Sequence, residues 1–547
     1  MKKFNKQIII LLLAVISLNC DDSVLDEVPF SILTPENAFV TKEHFDQAVW
    51  DIHRYIRDGV YFRGDGWNGF PPGNEGFWTG TDLAFNGEGI TNAVWQNNMG
   101  LYIDATYFYD HYYIMFYNLA ARANVIISRA NAPESQLSEN DKSIVIAQGK
   151  FFRAYAFKTL ANLYGGVPII DKEITTPKDD FVKSTRSEVY QFAAADLEFS
   201  SQNLPQAADP NNARITAGVV NHLLSEVYLA DGKWDKAIEA ASRVIDDPQY
   251  NLMTQRFGVK ADQPGDVFND LSRKGNITKK EGNSETIWAF QYQFNTIGGA
   301  GNFIWQLYSG ERFWGPRYWQ LLDPDLKSGT VAVDSLGRGQ AWVRPTYWAS
   351  TGVYKSTDWN DMRNSRFNIR RNFFYNNPTS EYFGQEITLD KLVEPSDTLM
   401  KFYPIIVKVS DWPDTGRVWE QAQVDRPFAV YRLAETYLIR SEAYLGKGDV
   451  QNAANDINVL RNRAMATPAQ PSQVNIDYIL DERLRELISE ELRMMTLRRL
   501  DLLLDRTTRY NPITGPQMIP RNNTWPIPQR QIELNKGAVI EQNPGWE

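Results

Sequence analysis

The chain has 547 residues, 43% of them hydrophobic and 23% charged, a composition that excludes wholesale disorder. Its formal charge of −10 at pH 7 makes it a poor general binder of nucleic-acid backbones and disfavours polyanionic ligands unless Lys and Arg cluster locally. One cysteine and four histidines exclude an internal disulfide and a cysteine-built metal cluster.

In chain order, Lys2, Lys3 and Lys6 precede the apolar stretch Ile8 to Leu18, which is too short to span a bilayer, and then come Asn19 and the single cysteine, Cys20. This pattern resembles a bacterial lipoprotein signal. Residues 1–19 are expected to be the leader, Cys20 the lipidated first residue of the mature chain, and residues 20–34 a tether. The acidic pair Asp21-Asp22 would favour inner-membrane retention in an enterobacterial lipoprotein and surface export in one from the Bacteroidetes.

The body is predicted to be mostly α, a tetratricopeptide-like helical array with a large irregular insertion containing short strands. Ser225-Glu226-Val227-Tyr228-Leu229 with Gly232 and Ala237 recurs, 216 residues later, as Ser441-Glu442-Ala443-Tyr444-Leu445 with Gly448 and Ala453. These positions match part of the tetratricopeptide pattern, in which helix pairs pack through small residues and need neighbours to bury their faces. Apolar periodicity predicts helices near 35–58, 103–131, 138–164, 185–203, 214–231, 233–247, 428–447, 449–466 and 475–506. The divisions are an N-terminal helical part over 35–249, a loop and short-strand insertion over 250–427, and C-terminal helices with a closing tail over 428–547. The insertion is rich in Gly, Pro, Asn, Asp and Trp, and long excursions of this kind usually carry function.

No catalytic residue, cofactor or metal is called for, since there is no Walker loop, HExxH helix or GxSxG elbow, and Gly299-Ala300-Gly301 lacks the next glycine of a dinucleotide loop. Asp323-Pro324-Asp325 with Asp334 is only loosely like a calcium loop, because Ser328 and Asp334 replace its Gly and Glu. Glu482, Arg483, Arg485 and Glu486 are expected to form a mixed-sign, solvated helix face. The aromatic residues stand out. Trp67, Phe70, Phe77, Trp78, Trp305, Tyr308, Trp314, Tyr318, Trp319, Trp342, Tyr347, Trp348 and Trp359 fall in irregular, polar segments. Flat rings stack on the C–H faces of sugars while neighbouring polar groups bond the hydroxyls, so an exposed platform is expected among them, the rest filling core beneath long loops. The chosen ligand residues are Trp67, Trp78, Trp305, Trp314 and Arg363; Trp288, in a strand-like run, is assigned to core.

Five blocks then carry a family resemblance: Cys20-Asp21-Asp22 with Leu25-Asp26-Glu27-Val28-Pro29; Ala147 to Ala156 leading to Leu163-Tyr164-Gly165-Gly166-Val167-Pro168, with Arg214-Ile215-Thr216; Tyr431 to Ile439; Glu482-Arg483 through Leu497-Arg498-Arg499; and Trp525-Pro526-Ile527-Pro528-Gln529 with Gln542-Asn543-Pro544-Gly545. Together they resemble the SusD/RagB family of Bacteroidetes surface lipoproteins, with Lys150 and Met494-Met495 departing from the usual residues. The resemblance implies a lipid-anchored protein on the outer face of the outer membrane. It also implies a SusC-like TonB-dependent transporter as partner, over which the chain acts as a lid, with an oligosaccharide or peptide ligand held between them. A non-catalytic glycan-binding lid is the reading adopted, with the same lid binding peptides, a surface glycoside hydrolase, and a structural adaptor as alternatives.

Overall fold

The computed structural model describes residues 38–61, 75–88, 107–296, 298–299, 308, 310–333, 336–410, 417–418 and 423–547. Cys20, Trp67 and Trp305 lie outside the described residues. The helices of seven residues or more are α1 (Lys42–Ile56), α2 (Tyr107–Ala130), α3 (Glu139–Tyr164), α4 (Arg186–Asn203), α5 (Ala217–Ala230), α6 (Trp234–Ile245), α7 (Leu433–Gly446), α8 (Val450–Arg463), α9 (Ile476–Leu487), α10 (Arg493–Arg499) and α11 (Leu503–Tyr510).

Local chemistry sets several of these ends. Ser138 caps α3, its hydroxyl accepting from the Asp141 N–H at 3.1 Å, and Gly165, at φ 73°, ends it. Thr185 and Glu188 form a capping box at the start of α4. From Phe151 to Tyr164 every residue of α3 is buried, which makes it the central helix, packed between α2 and α4. Its two buried cations are paired: Arg153 grips Asp196 at 2.7 and 2.9 Å, and Lys158 meets Glu226 at 2.9 Å.

The two repeats adopt the same hairpin. Between α5 and α6 the N–H groups of Gly232 and Lys233 donate to the carbonyls of Leu229 and Tyr228; between α7 and α8 those of Gly448 and Asp449 donate to Leu445 and Tyr444, the same bonds 216 residues on. Gly232 and Gly448 sit at φ 67° and 84°, backbone that favours glycine. The hairpins stack directly, α7 against α5 and α6. At the contact, a Cβ on Gly446 would come within 2.8 Å of the Trp234 ring. Alanine in a helix interior normally gains about 1 kcal/mol over glycine. Here the clash reverses the sign, and Gly446→Ala is expected to destabilise the protein by about 1–3 kcal/mol in thermal or urea unfolding.

Strands β1 (Thr286–Phe290) and β2 (Phe428–Arg432) pair antiparallel, Phe290 opposite Phe428 and Thr286 opposite Arg432. The excursion between them thus leaves and rejoins the scaffold at one place. Trp288 is fully buried beneath it, edge-on to Phe151 and Tyr155 and beside Phe290 and Tyr431. Two expectations are corrected here. The segment expected as one helix over 428–447 begins as β2, because Phe428, Val430 and Tyr431 bury against β1 and the aromatic core. The segment 475–506 is three helices, α9 to α11, with Ser489 and Asp501 at φ 69° and 55° in the two breaks.

The excursion has its own cores. Phe313, Trp314, Val343, Ala349, Val353 and Tyr354 pack with Trp78, Leu83 and Ala84 and with Leu484 of α9. Tyr318, Leu321, Phe373, Tyr375, Ile387 and Ile405 form another cluster. Two-residue strand pairs, Ala84–Phe85 with Arg344–Pro345, Ile369–Arg370 with Ile405–Ile406, and Phe373–Phe374 with Glu386–Ile387, hold the loops in register. The Asp323 carboxylate is used inside its own loop, accepting from the N–H groups of Asp325 and Lys327 at 3.0 Å and from the Ser380 hydroxyl at 2.6 Å.

The expected solvated face of α9 is also corrected, since Glu482, Arg483, Arg485 and Glu486 are all buried. Arg483 pairs with Glu435 and Glu491, while the other three belong to an ion network joining the excursion to the scaffold. Arg363 meets Asp361 at 2.7 Å, Glu482 at 2.8 Å and Glu486 at 3.1 Å; Arg461 and Arg485 meet Glu482 at 2.9 and 2.8 Å. Arg463 bridges Glu285 and Glu486, while Arg432 bonds Glu285, Glu486 and Glu490. Burial alone would raise the Glu482 carboxyl, but Arg363, Arg485 and Arg461 outweigh it and hold the group at about 2. Asp82 is also raised by burial and lowered more by Arg493 and Arg506, to about 2. A carboxylate depressed in the folded state stabilises fully above its unfolded pKa, near 4, and loses that contribution as pH falls through the folded value. Stability from these two groups is therefore expected to hold down to about pH 5 and then to fall by roughly 2–3 kcal/mol per group toward pH 2, read from urea unfolding across that range.

Candidate ligand-binding site

Three of the chosen ligand residues are described, and the structure places them inside the molecule. Trp78 and Trp314 are each 0% exposed, edge to face with centroids 5.1 Å apart, and the Trp78 indole N–H donates to the Glu491 carbonyl at 2.8 Å. Each follows a phenylalanine in sequence, and these aromatic pairs fill the core under the loops. Arg363 is wholly occupied by Asp361, Glu482 and Glu486. None of the three offers a free face or donor to a ligand in this structure.

Two aromatic candidates that do reach solvent are nearby in sequence. Tyr347 is 62% and Trp359 47% exposed. Both belong to one stretch of the excursion, in which a helical segment wound wide over Trp348–Gly352 continues to Lys355. Lys355 links the two rings: its Nζ lies 5.8 Å from the Tyr347 centroid and 6.0 Å from that of Trp359. The Arg371 guanidinium sits 5.0 Å from the Trp359 centroid.

The scaffold fixes this stretch from behind. Arg485 of α9 donates to the Val353 carbonyl at 2.8 and 3.2 Å. Trp348, next to Tyr347, stacks on Tyr510 of α11 at 4.3 Å and donates its indole N–H to Asp481 at 3.0 Å. On the Trp359 side, the Asp358 carboxylate accepts from the Thr467 N–H and hydroxyl at 2.7 and 2.8 Å, and Asn364 donates to the Trp359 carbonyl at 2.8 Å. Two exposed rings on a backbone tied at several points to the scaffold make a preformed platform that pays little ordering entropy on binding. Thr357 and Asn360, both exposed, supply hydroxyl and amide groups beside it. A separate cleft of about 560 Å³ runs along α1, with the half-exposed Trp50 at its edge. Its charged side chains are already paired, Asp51 with Arg54 and Arg122, and Arg57 with Asp58.

Tyr347 and Trp359 were among the aromatic candidates but not among the residues chosen. The distinguishing signal is local: Trp359 lies in Thr357-Asp358-Trp359-Asn360-Asp361, with no apolar neighbour on either side.

Residues 337–546 match the profile of the SusD family, and residues 81–229 match a SusD-like profile described as starch-binding associating with outer membrane. The chain belongs to the SusD family. It is 24% identical to SusD-like protein P2 of Formosa agariphila, with all of both chains aligned. In fold, this SusD-family chain is similar to a laminarin-binding SusD-like protein (TM-score 0.68, 20% identity, 93% of this chain and 100% of the other). It is similar too to surface glycan-binding protein A from Bacteroides thetaiotaomicron in complex with laminarihexaose (TM-score 0.67, 18% identity, 92% and 100%). The mostly helical architecture expected from the repeats, and the SusD-like fold that the resemblance implies, are the ones found. No described helix is long and apolar enough to cross a membrane.

Proposed function

We propose that this chain is a non-catalytic glycan-binding lipoprotein of the outer membrane, facing the cell exterior. In this reading it is the lid of a SusC-like TonB-dependent transporter that imports oligosaccharides. The observation that carries the glycan reading is the exposed pair Tyr347 and Trp359 on a backbone clamped to α9 and α11. Such a platform binds by stacking and needs no reacting group. The carboxylates of α9 are unsuited to acid catalysis, since arginines keep Glu482 ionised and Glu486 well below the usual range despite burial. Glycan-bound relatives of the same fold support the reading.

The test is binding of the purified chain to neutral polysaccharides, acidic polysaccharides and peptide mixtures, by affinity electrophoresis and calorimetry. Saturable binding of one glycan class, with its chain length unchanged after incubation, is expected. Shortening of the glycan would make the protein a hydrolase, and binding of peptides alone would move it to peptide import. The lid role is tested by co-purification with a transporter from solubilised outer membranes.

Membrane attachment is assigned to acyl chains on Cys20, since several chains anchor far better than one. Cys20→Ala is expected to move the protein into the soluble fraction and to abolish acyl labelling. Unchanged fractionation would contradict the anchor.

A further inference from the structure

Lys355 is an exposed cation lying between the two exposed rings, and it makes no hydrogen bond or ion pair with any described residue. The buried arginines around Arg363, by contrast, are matched by carboxylates: Arg363 and Arg485 by Glu482, Arg461 by Glu482 and Arg463 by Glu285. Arg371, against the same Trp359 ring, is held by neutral oxygens, the Ser350 carbonyl and the Asn364 side chain at 2.6 Å and the Asn364 carbonyl at 3.4 Å. The nearest carboxylate in sequence, Asp358, is kept ionised by its bonds from Thr467, and the two cations Lys355 and Arg371 outnumber it. The aromatic platform therefore carries local positive charge on a chain whose formal charge is −10.

Resting on the glycan-binding reading above, we propose that the ligand is an acidic saccharide, whose sugar rings stack on Tyr347 and Trp359 and whose anionic group is received by Lys355. The shared chemistry is an anionic oxygen group on the sugar, either a uronate carboxylate or a sulfate ester. In the free protein the lysine ammonium lies 5.8 and 6.0 Å from the two ring centroids, a cation–π contact that is weak where water reaches it. A stacked sugar displaces the flexible stem, and the ammonium exchanges the ring for a charge-assisted hydrogen bond, which is stronger. Arg371 adds positive potential at the same ring without leaving its carbonyl and amide partners. The net negative charge elsewhere does not cancel this, because at physiological ionic strength charges farther off than roughly 8 Å are largely screened.

The experiment compares binding of the full chain to three sets of oligosaccharides: uronate oligomers, the same oligomers with their carboxyls reduced to alcohols, and a sulfated oligomer with its desulfated counterpart. Each is measured with the native chain, with Lys355→Met, and with Tyr347→Ala/Trp359→Ala. The expected result is at least 10-fold tighter binding of one acidic oligomer than of its neutral counterpart. Lys355→Met should remove most of that difference, and the affinity should fall with added salt. Which acidic arm responds tells carboxylate from sulfate. Equal affinity for acidic and neutral forms, or an acidic preference that survives Lys355→Met, would overturn the inference while leaving the platform reading intact, provided the double ring variant still loses binding. Glycan binding that persists in the double ring variant, or no glycan binding by the native chain, would overturn the platform and this inference with it.

Discussion

Removing both exposed rings in Tyr347→Ala/Trp359→Ala is expected to abolish measurable glycan binding, with each single variant losing roughly 10-fold or more, about 1.4 kcal/mol apiece. The physical basis is that each ring is exposed, while the backbone beneath it is fixed by Trp348 on Tyr510, by Arg485 on Val353 and by Asp358 on Thr467. Because neither ring contributes to a buried core, the thermal midpoint should remain within a degree or two of the native value. Calorimetric titration alongside thermal unfolding separates the two effects. Trp314→Ala is the matched control, and it should show the opposite pattern. It opens a cavity beside Trp78, costs about 3–5 kcal/mol of stability, and affects binding only through that loss.

The second large effect concerns Arg363, which holds Asp361, Glu482 and Glu486 together. Arg363→Met leaves three carboxylates facing one another out of water with one cation fewer, and is expected to cost about 3–5 kcal/mol. Part of the network should then titrate upward, so that the variant's stability profile shifts its acid transition toward neutral pH while the native profile stays flat there. Urea unfolding of both proteins across pH 3 to 8 reads the shift. An arginine acting instead as a ligand contact would change affinity and leave both stability and its pH dependence alone.

The places where sequence reasoning succeeded and failed follow from what local pattern can encode. The two hairpins were legible because a tight turn demands glycine at 232 and 448 and a close helix pair demands small residues at 237 and 453; both constraints act within a few residues. Trp288 was assignable to core because it sits in the apolar run Ile287-Trp288-Ala289-Phe290. The mixed charges of α9 misled because Glu482, Arg483, Arg485 and Glu486 have the same spacing whether they face water or a buried counter-charge. Their partners Arg363, Arg432, Arg461, Arg463 and Glu435 come from the excursion, the strand pair, α8 and α7. Likewise Trp78 and Trp314 look like platform residues until the excursion folds back and buries each against the other.

By itself the sequence determined the helical repeat class and the acidic balance, which rest on composition, short-range periodicity and spacing, and its motif blocks carried the family resemblance. Only the tertiary structure decided which aromatics are available to a ligand and which charges are structural. Burial and ion pairing join residues separated by more than a hundred positions, as Arg363 joins Glu486, and no short-range pattern carries that information. The tertiary structure brings Tyr347, Lys355 and Trp359 to one face and holds them there through α9, α11 and Thr467.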